Sequence, residues 1–256
     1  MLKRLRLSFS SFSGWLIWLM LLISTATVGT SGVLWLTVGR RGDASSPWWE
    51  TWNWFNVGGE YNLSSWWAAS QWIILAVAAV FVAFLSRRFW FMWLLIAAVA
   101  LYGSADEATE IHEEFWSYGD AITPYLAYDF FSYRWAVFGS VVVIAVPVLL
   151  APLLYRLPLD VLKRLVIAGL VFVGGAVGVE TLSGHLDPIL GPMTSKMLAI
   201  IHIEEYLELL GVIAAVWAVL SMCEWKRTET GLQVRCREYR GEAETGPGCR
   251  TVTRTR

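Results

Sequence analysis

Residues 89–116, FWFMWLLIAAVALYGSADEATEIHEEFW, decide the fold. The first half is an apolar and aromatic run of the length a helix needs to cross hydrocarbon, about 20 residues. The second half places Asp106, Glu107, Glu110, His112, Glu113 and Glu114 within nine residues. Ionisable side chains at such depth are costly unless they face a bundle interior, a water-filled cavity or a counter-charge.

The rest of the 256-residue chain has the same character. It is 56% hydrophobic and 16% charged, with a mean hydropathy of +0.52, against an apolar share of about 45–50% in soluble domains. The expected fold class is all-α, a polytopic membrane helix bundle. Six spans are expected, at about 13–38, 65–86, 89–113, 132–155, 162–183 and 197–222. The first also fits a signal peptide, with a basic start, an apolar run and small residues, but its apolar run resumes as VLWLTVG and reaches full length. Lys3, Arg4 and Arg6, then Arg87 and Arg88, Arg156, Lys163 and Arg164, and Lys226 and Arg227 mark alternate ends. The positive-inside rule puts those ends, and both termini, in the cytoplasm of a prokaryotic inner membrane. Arg40 and Arg41 run against it.

Residues 45–64 carry a Trp-rich run around a Gly-Gly, too polar to span, and read as a short interfacial or re-entrant piece. Residues 226–256 lack sustained apolar periodicity and are expected to form a disordered cytoplasmic tail. Cys223, Cys236 and Cys249 have no metal-knuckle spacing and read as reduced thiols. The net charge of −1 excludes a phosphate-neutralising nucleic-acid surface.

At a rise of about 1.5 Å per residue, Asp106, Glu180 and Glu208 each lie roughly 24 Å from the cytoplasmic end of their spans. Three acids on three helices thus share one level near the outer face. Continuing the helix through residue 114 puts Asp106, Glu107, Glu110, Glu113 and Glu114 on one arc of about 120° and turns His112 away from it. Glu204, Glu205 and Glu208 form a similar arc on the last span, with His202 three residues before Glu205. Glu60 joins this layer through the outer Glu60-x-Asn62. Gly174 and Gly178 read as a small-xxx-small contact on the side away from Glu180. His185, between Ser-Gly and Leu-Asp-Pro, reads as a loop residue, and Asp120, Asp129 and Arg134 as outer-surface charges.

Together, ADEATEIHEEF (105–115), GGEYNLSSWW (58–67), AVGVETLSGH (176–185) and EEYLELLG (204–211) resemble a group of uncharacterised prokaryotic multi-spanning membrane proteins. These carry an (L/A)DE…HE motif, an upstream Glu-x-Asn, a Gly-rich helix ending in Glu, and a final Glu-Glu-x-x-Glu helix. The resemblance covers residues 10–222 and marks the acidic and histidine positions as a set without implying a reaction. A second resemblance is to metal-dependent membrane hydrolases of the alkaline ceramidase type, which hold a metal near one membrane face. This chain departs from them in having six spans rather than seven and no His-x-x-x-His pair.

The metal set expected from the sequence is Glu60, Asp106, Glu107, Glu110, His112, Glu113, Glu180, His202, Glu205 and Glu208. Carboxylates with one or two imidazoles suit a divalent zinc, iron or manganese ion better than copper(I). Three function classes follow. One is a metal-dependent lipid hydrolase or di-metal redox protein, one a proton- or ion-handling protein, and one a structural subunit of a membrane complex. Lipid bilayer is the expected surround in all three. No phosphate-binding loop, nucleophile elbow or haem-attachment motif occurs in the sequence.

Overall fold

The computed structural model describes residues 12–41, 45–125, 135–228, 231–241 and 251–255. Lys3, Arg4, Arg6, Asp129, Arg134 and Cys249 lie outside the described residues. The architecture is dominated by helices. Five are long and apolar enough to cross a membrane: Ser13–Thr37 within α1 (Phe12–Thr37), α3 (Leu63–Leu85), α4 (Trp90–Thr109), α6 (Trp135–Leu154), and the continuous Leu159–Leu190. That last helix comprises α7 (Leu159–Val173), a π-helical turn (Gly174–Val179) and α8 (Glu180–Leu190). The final helix, α9 (Ser195–Leu220), matches α1 in its 26 residues, but Glu204, Glu205 and Glu208 interrupt its apolar character. The Trp-rich segment folds as the short α2 (Pro47–Phe55), started by the Ser46 cap and Pro47 in the first turn. α5 (Trp116–Ile122) is a second short helix on the way to α6.

Small side chains bring α3 and α4 together. Ala76, Ala79 and Ala83 on one and Ala97 and Ala100 on the other are buried, which lets two backbones approach where lipid offers no hydrophobic drive. Gln71, fully buried, links three helices. With its amide oriented to satisfy both ends, its nitrogen donates to the Leu209 carbonyl at 3.1 Å, and its oxygen accepts from Trp67 Nε1 at 2.8 Å and Ser24 Oγ at 2.9 Å. A buried amide of this kind is stable only when every group is paired.

The glycine contact between α7 and α9 is not made by the expected pair. A Cβ on Gly174 would meet nothing within 4 Å, and one on Gly178 only the Val173 carbonyl at 3.9 Å. A Cβ on Gly175 would instead fall 2.8 Å from the Glu204 carbonyl and 2.9 Å from Glu208 Cγ, and one on Gly211 2.7 Å from the Phe172 backbone nitrogen. The π turn inserts an extra residue per turn and so shifts the helical phase. A regular 3.6-residue count misses that shift.

Three further expectations are corrected. The third span ends at Thr109 rather than 113, because Glu110 takes a left-handed conformation (φ 55°, ψ 39°) that stops the helix. The fifth runs on to Leu190, so His185 is helical and its Nδ1 lies 2.7 Å from the Thr181 carbonyl. The tail is ordered over much of its length. Strands β1 (Cys223–Thr228), β2 (Gly231–Cys236) and β3 (Thr251–Thr255) form an antiparallel sheet in that order. Residues 237–241 then fold back on the helices. Arg237 makes a two-pronged ion pair with Asp160 at 2.7 and 2.8 Å, and Arg240 caps the C-terminal carbonyls of α6 at Leu154 and Tyr155. The buried Tyr239 hydroxyl meets Ser86 Oγ at 2.7 Å and accepts from Trp93 Nε1 at 2.9 Å. Composition suggested disorder because these anchors are single residues without periodicity. Their stabilisation comes from tertiary partners.

Candidate acidic cavity

Where the helix ends decides the chemistry of the first cluster. With α4 stopped at Thr109, Asp106 accepts the backbone N–H of His112 at 2.7 Å, and its other oxygen lies 3.0 Å from His112 Nδ1. His112, expected to point away, is therefore folded back onto Asp106 and packs at 4.7 Å from the Trp135 ring. The single arc of five carboxylates does not form. Glu113 instead starts a 3-10 turn (Glu113–Phe115), which carries it back toward Glu110 and the loop before α3.

That loop, between α2 and α3, holds Glu60. Asn62 fixes it: its side-chain oxygen caps α3 by accepting from Ser64 and Ser65 nitrogens (2.7 and 3.0 Å), and its Nδ2 donates to the carbonyls of Asn53, Asn56 and Gly59. Asn62 thus positions the loop that bears Glu60. Asn62→Ala is expected to cost about 1–2 kcal/mol through the lost cap and to raise amide exchange across residues 56–62, measured by hydrogen–deuterium exchange. An unchanged exchange pattern would remove Asn62 from this role.

Carboxylate oxygens of Glu60, Glu110 and Glu113 lie within 4.8 Å of one another. Among the described residues, the two non-glycine residues with left-handed φ are Tyr61 (53°) and Glu110 (55°). One adjoins this triad and the other belongs to it. Such backbone is disfavoured outside glycine and clusters at functional sites.

Below the triad lies a cavity of about 790 Å³. Glu60, Asp106, Glu107, His112, Glu113, Glu180, Glu205 and Glu208 all line it. Glu110 joins through the triad. His202 does not: its Nδ1 lies 2.7 Å from the Leu198 carbonyl and its ring lies against Gly32 of α1. At about 100° per residue it lies about 160° around α9 from Glu204 and about 120° from Glu208. Glu107, Glu205 and Glu208 also border a void of about 10 Å³ beside Gln71, the size of one water or ion.

Three features lay outside the ligand set expected from the sequence. Glu204 lines the cavity, and its Oε2 is buried without a hydrogen-bond partner among the described residues. Trp72 Nε1 donates to Glu107 at 3.3 Å, and Trp135 Nε1 donates to Glu180 at 3.1 Å. An indole is donor-only, so in a tryptophan-rich membrane sequence these two are indistinguishable from interface anchors until their partners are known.

His112 lies outside the spanning helices. Burial disfavours its charged form, but the hydrogen bond and charge of Asp106, with the charges of Glu180 and Glu113, raise its pKa above the ordinary imidazole value. A raised folded pKa stabilises fully below the unfolded value of about 6.5, and the contribution is lost as pH rises through the folded value. In cation-free protein, Asp106→Asn should lower the His112 midpoint in an NMR titration. No movement would mean that Asp106 does not hold the ring.

Fold and cavity together define the class: a helical protein with five helices apolar enough to cross a membrane and an acidic cavity where several of them meet. The chain belongs to the family described as Domain of unknown function (DUF8692), which matches residues 16–223. No curated protein and no solved structure matches it.

Proposed function

We propose that this protein is an integral membrane protein of the prokaryotic cytoplasmic membrane, with six spans and both termini inside, whose cavity opens to the outer face and binds a divalent cation. The observation that carries this reading is the convergence of carboxylates from the 57–60 loop, α4, α8 and α9 on one cavity within otherwise apolar helices. Uncompensated, that many carboxylates repel one another and are costly to desolvate. The unpartnered Glu204 oxygen and the Glu60/Glu110/Glu113 triad offer the oxygen donors a hard cation requires.

Of zinc, iron and manganese, manganese best suits an all-carboxylate triad, and an imidazole from His112 would extend the set toward zinc or iron. Asp106 behind His112 is the arrangement by which a carboxylate orients a metal-binding imidazole. A divalent cation held there supplies Lewis-acid polarisation of a carbonyl or phosphoryl oxygen, in keeping with hydrolysis of a membrane lipid. The protein's own residues hold and orient: the indoles of Trp72 and Trp135 fix the carboxylates of Glu107 and Glu180.

Elemental analysis of detergent-purified protein by inductively coupled plasma mass spectrometry tests this. The expected result is stoichiometric transition metal in wild type, reduced at least about tenfold in a Glu180→Gln, Glu208→Gln double variant, a loss equivalent to about 1.4 kcal/mol or more. Protein that is folded and metal-free after reloading with manganese, iron and zinc would sink the reading. Weight would then move to a proton-sharing cluster or a structural subunit.

A further inference from the structure

The cavity is not confined to the acidic layer. Val141, Val142 and Val143 of α6 line it, and all three are exposed, as is Ile144 at 65%. Four successive helical residues point around about 300° of the circumference, so among the described residues this stretch of α6 is open over most of its circumference. The ends of the same helix are anchored: Ala136 is 2% exposed, and Leu150 and Leu153 are 7% and 0%. α6 is thus held at top and bottom and stands off the bundle between, leaving a cleft. It begins six residues into the helix, roughly 9 Å below its outer end, and connects the carboxylates with the outside of the bundle.

The two halves of the cavity differ in chemistry. The α6 and α7 side is apolar, with the three valines, Phe172, Val173 and Val177, while the α4, α8 and α9 side carries the acids. Among the described residues, no lysine or arginine lines either half. Among the described lining residues an anionic head finds carboxylates and no counter-charge, whereas hydroxyl and amine groups find acceptors. The volume is within the roughly 300–1,000 Å³ range of small-molecule sites.

We propose that the cleft admits an alkyl chain of a membrane amphiphile, which lies against Val141–143, Phe172 and Val177 while its neutral or cationic head meets the carboxylates. This rests on the chain being membrane-embedded with the cavity as its site. It adds the class of ligand and its route, sideways from the bilayer between α6 and the bundle.

The test uses full-length protein in phosphatidylcholine vesicles containing a trace of hexadecylamine with a mid-chain diazirine. After irradiation, labelled residues are mapped by peptide mass spectrometry. Labelling is expected at 141–143 and 172–177, displaced by unmodified hexadecylamine. Filling the cleft with Val142→Trp should lower it about tenfold, equivalent to about 1.4 kcal/mol of chain binding. Val148→Trp, exposed on the same helix but away from the cavity, should not. Both variants must keep the wild-type melting midpoint. Labelling spread evenly over exposed residues such as Leu22, Val80 and Ile144, without displacement, overturns the proposal. Equal labelling by a probe with the same chain and a sulfonate head overturns the assignment of the head. Metal content measured on the same preparations separates the two readings. Displaceable labelling without metal supports the chain site while the cation reading fails; metal without such labelling overturns the chain site alone.

Discussion

Replacing Gly211 by leucine should lower the stability of the detergent-solubilised protein by about 3 kcal/mol, or a midpoint shift of roughly 6–12 °C for a chain of this size. A Cβ at this position would lie 2.6 Å from Phe172 Cβ and 2.7–2.8 Å from its backbone nitrogen and Cα. Backbone cannot rotate away as a side-chain tip can, so α7 and α9 must separate. Because Glu208 lies one turn from Gly211 and Gly175 packs on the Glu208 stem, the same separation opens the acidic cavity. Gly175→Leu should act likewise. Gly174→Ala and Gly178→Ala, with open space or ordinary contact around them, should stay within about 0.5 kcal/mol of wild type. Circular dichroism melts of the four variants decide it: equal losses at all four positions would mean that the π turn does not set which glycines face α9.

The second large effect is expected at Tyr239, 2% exposed and lodged among Ser86, Trp93, Phe89 and Cys236. Tyr239→Ala removes a buried aromatic and should cost about 3–5 kcal/mol. Tyr239→Phe keeps the ring but deprives the Trp93 indole N–H and the Ser86 hydroxyl of a partner, at about 1–3 kcal/mol. Limited proteolysis gives a separate reading, since releasing this anchor should expose residues 226–241 to cleavage while the helices stay protected. An alanine variant whose tail is cleaved no faster than wild type would show that the ion pair of Arg237 with Asp160 and the capping by Arg240 hold the segment without the tyrosine.

The membrane-length helices were legible because hydropathy is summed over some twenty residues and tolerates local irregularity. That Asp106, Glu180 and Glu208 line one cavity agrees with their similar counts along the helices, because rise per residue is nearly constant and a single π turn displaces Glu180 by little along the axis. Azimuth was not. One left-handed residue at Glu110 reversed the facing of His112, and one π turn moved the helix contact from Gly174 to Gly175. Each is a single-residue backbone event with no compositional signature, since Glu110 is not a glycine and the π turn lies in an ordinary Gly/Val run. Glu204 was read onto the right arc with Glu205 and Glu208, but its unpartnered oxygen depends on neighbours from other helices. The tail was misread because its order comes from Arg237, Tyr239 and Arg240 finding partners more than seventy residues away in sequence.

The packing beneath the cavity has an electrical consequence. Below Leu209, the bundle is filled by Leu75, Val82, Trp93, Val212, Ile213, Val216 and Val219, all buried, and Tyr239 closes the far end. A dry floor of this kind carries most of any transmembrane voltage, which acts on a charge at about 2.3 kcal/mol per 100 mV only to the extent that the charge crosses the field. On the proposed reading, the carboxylates above it share the potential of the bath into which the cavity opens. If a cation binds there as proposed, its occupancy should be insensitive to membrane potential, and whatever enters from that side would leave by the same side or through the proposed cleft beside α6.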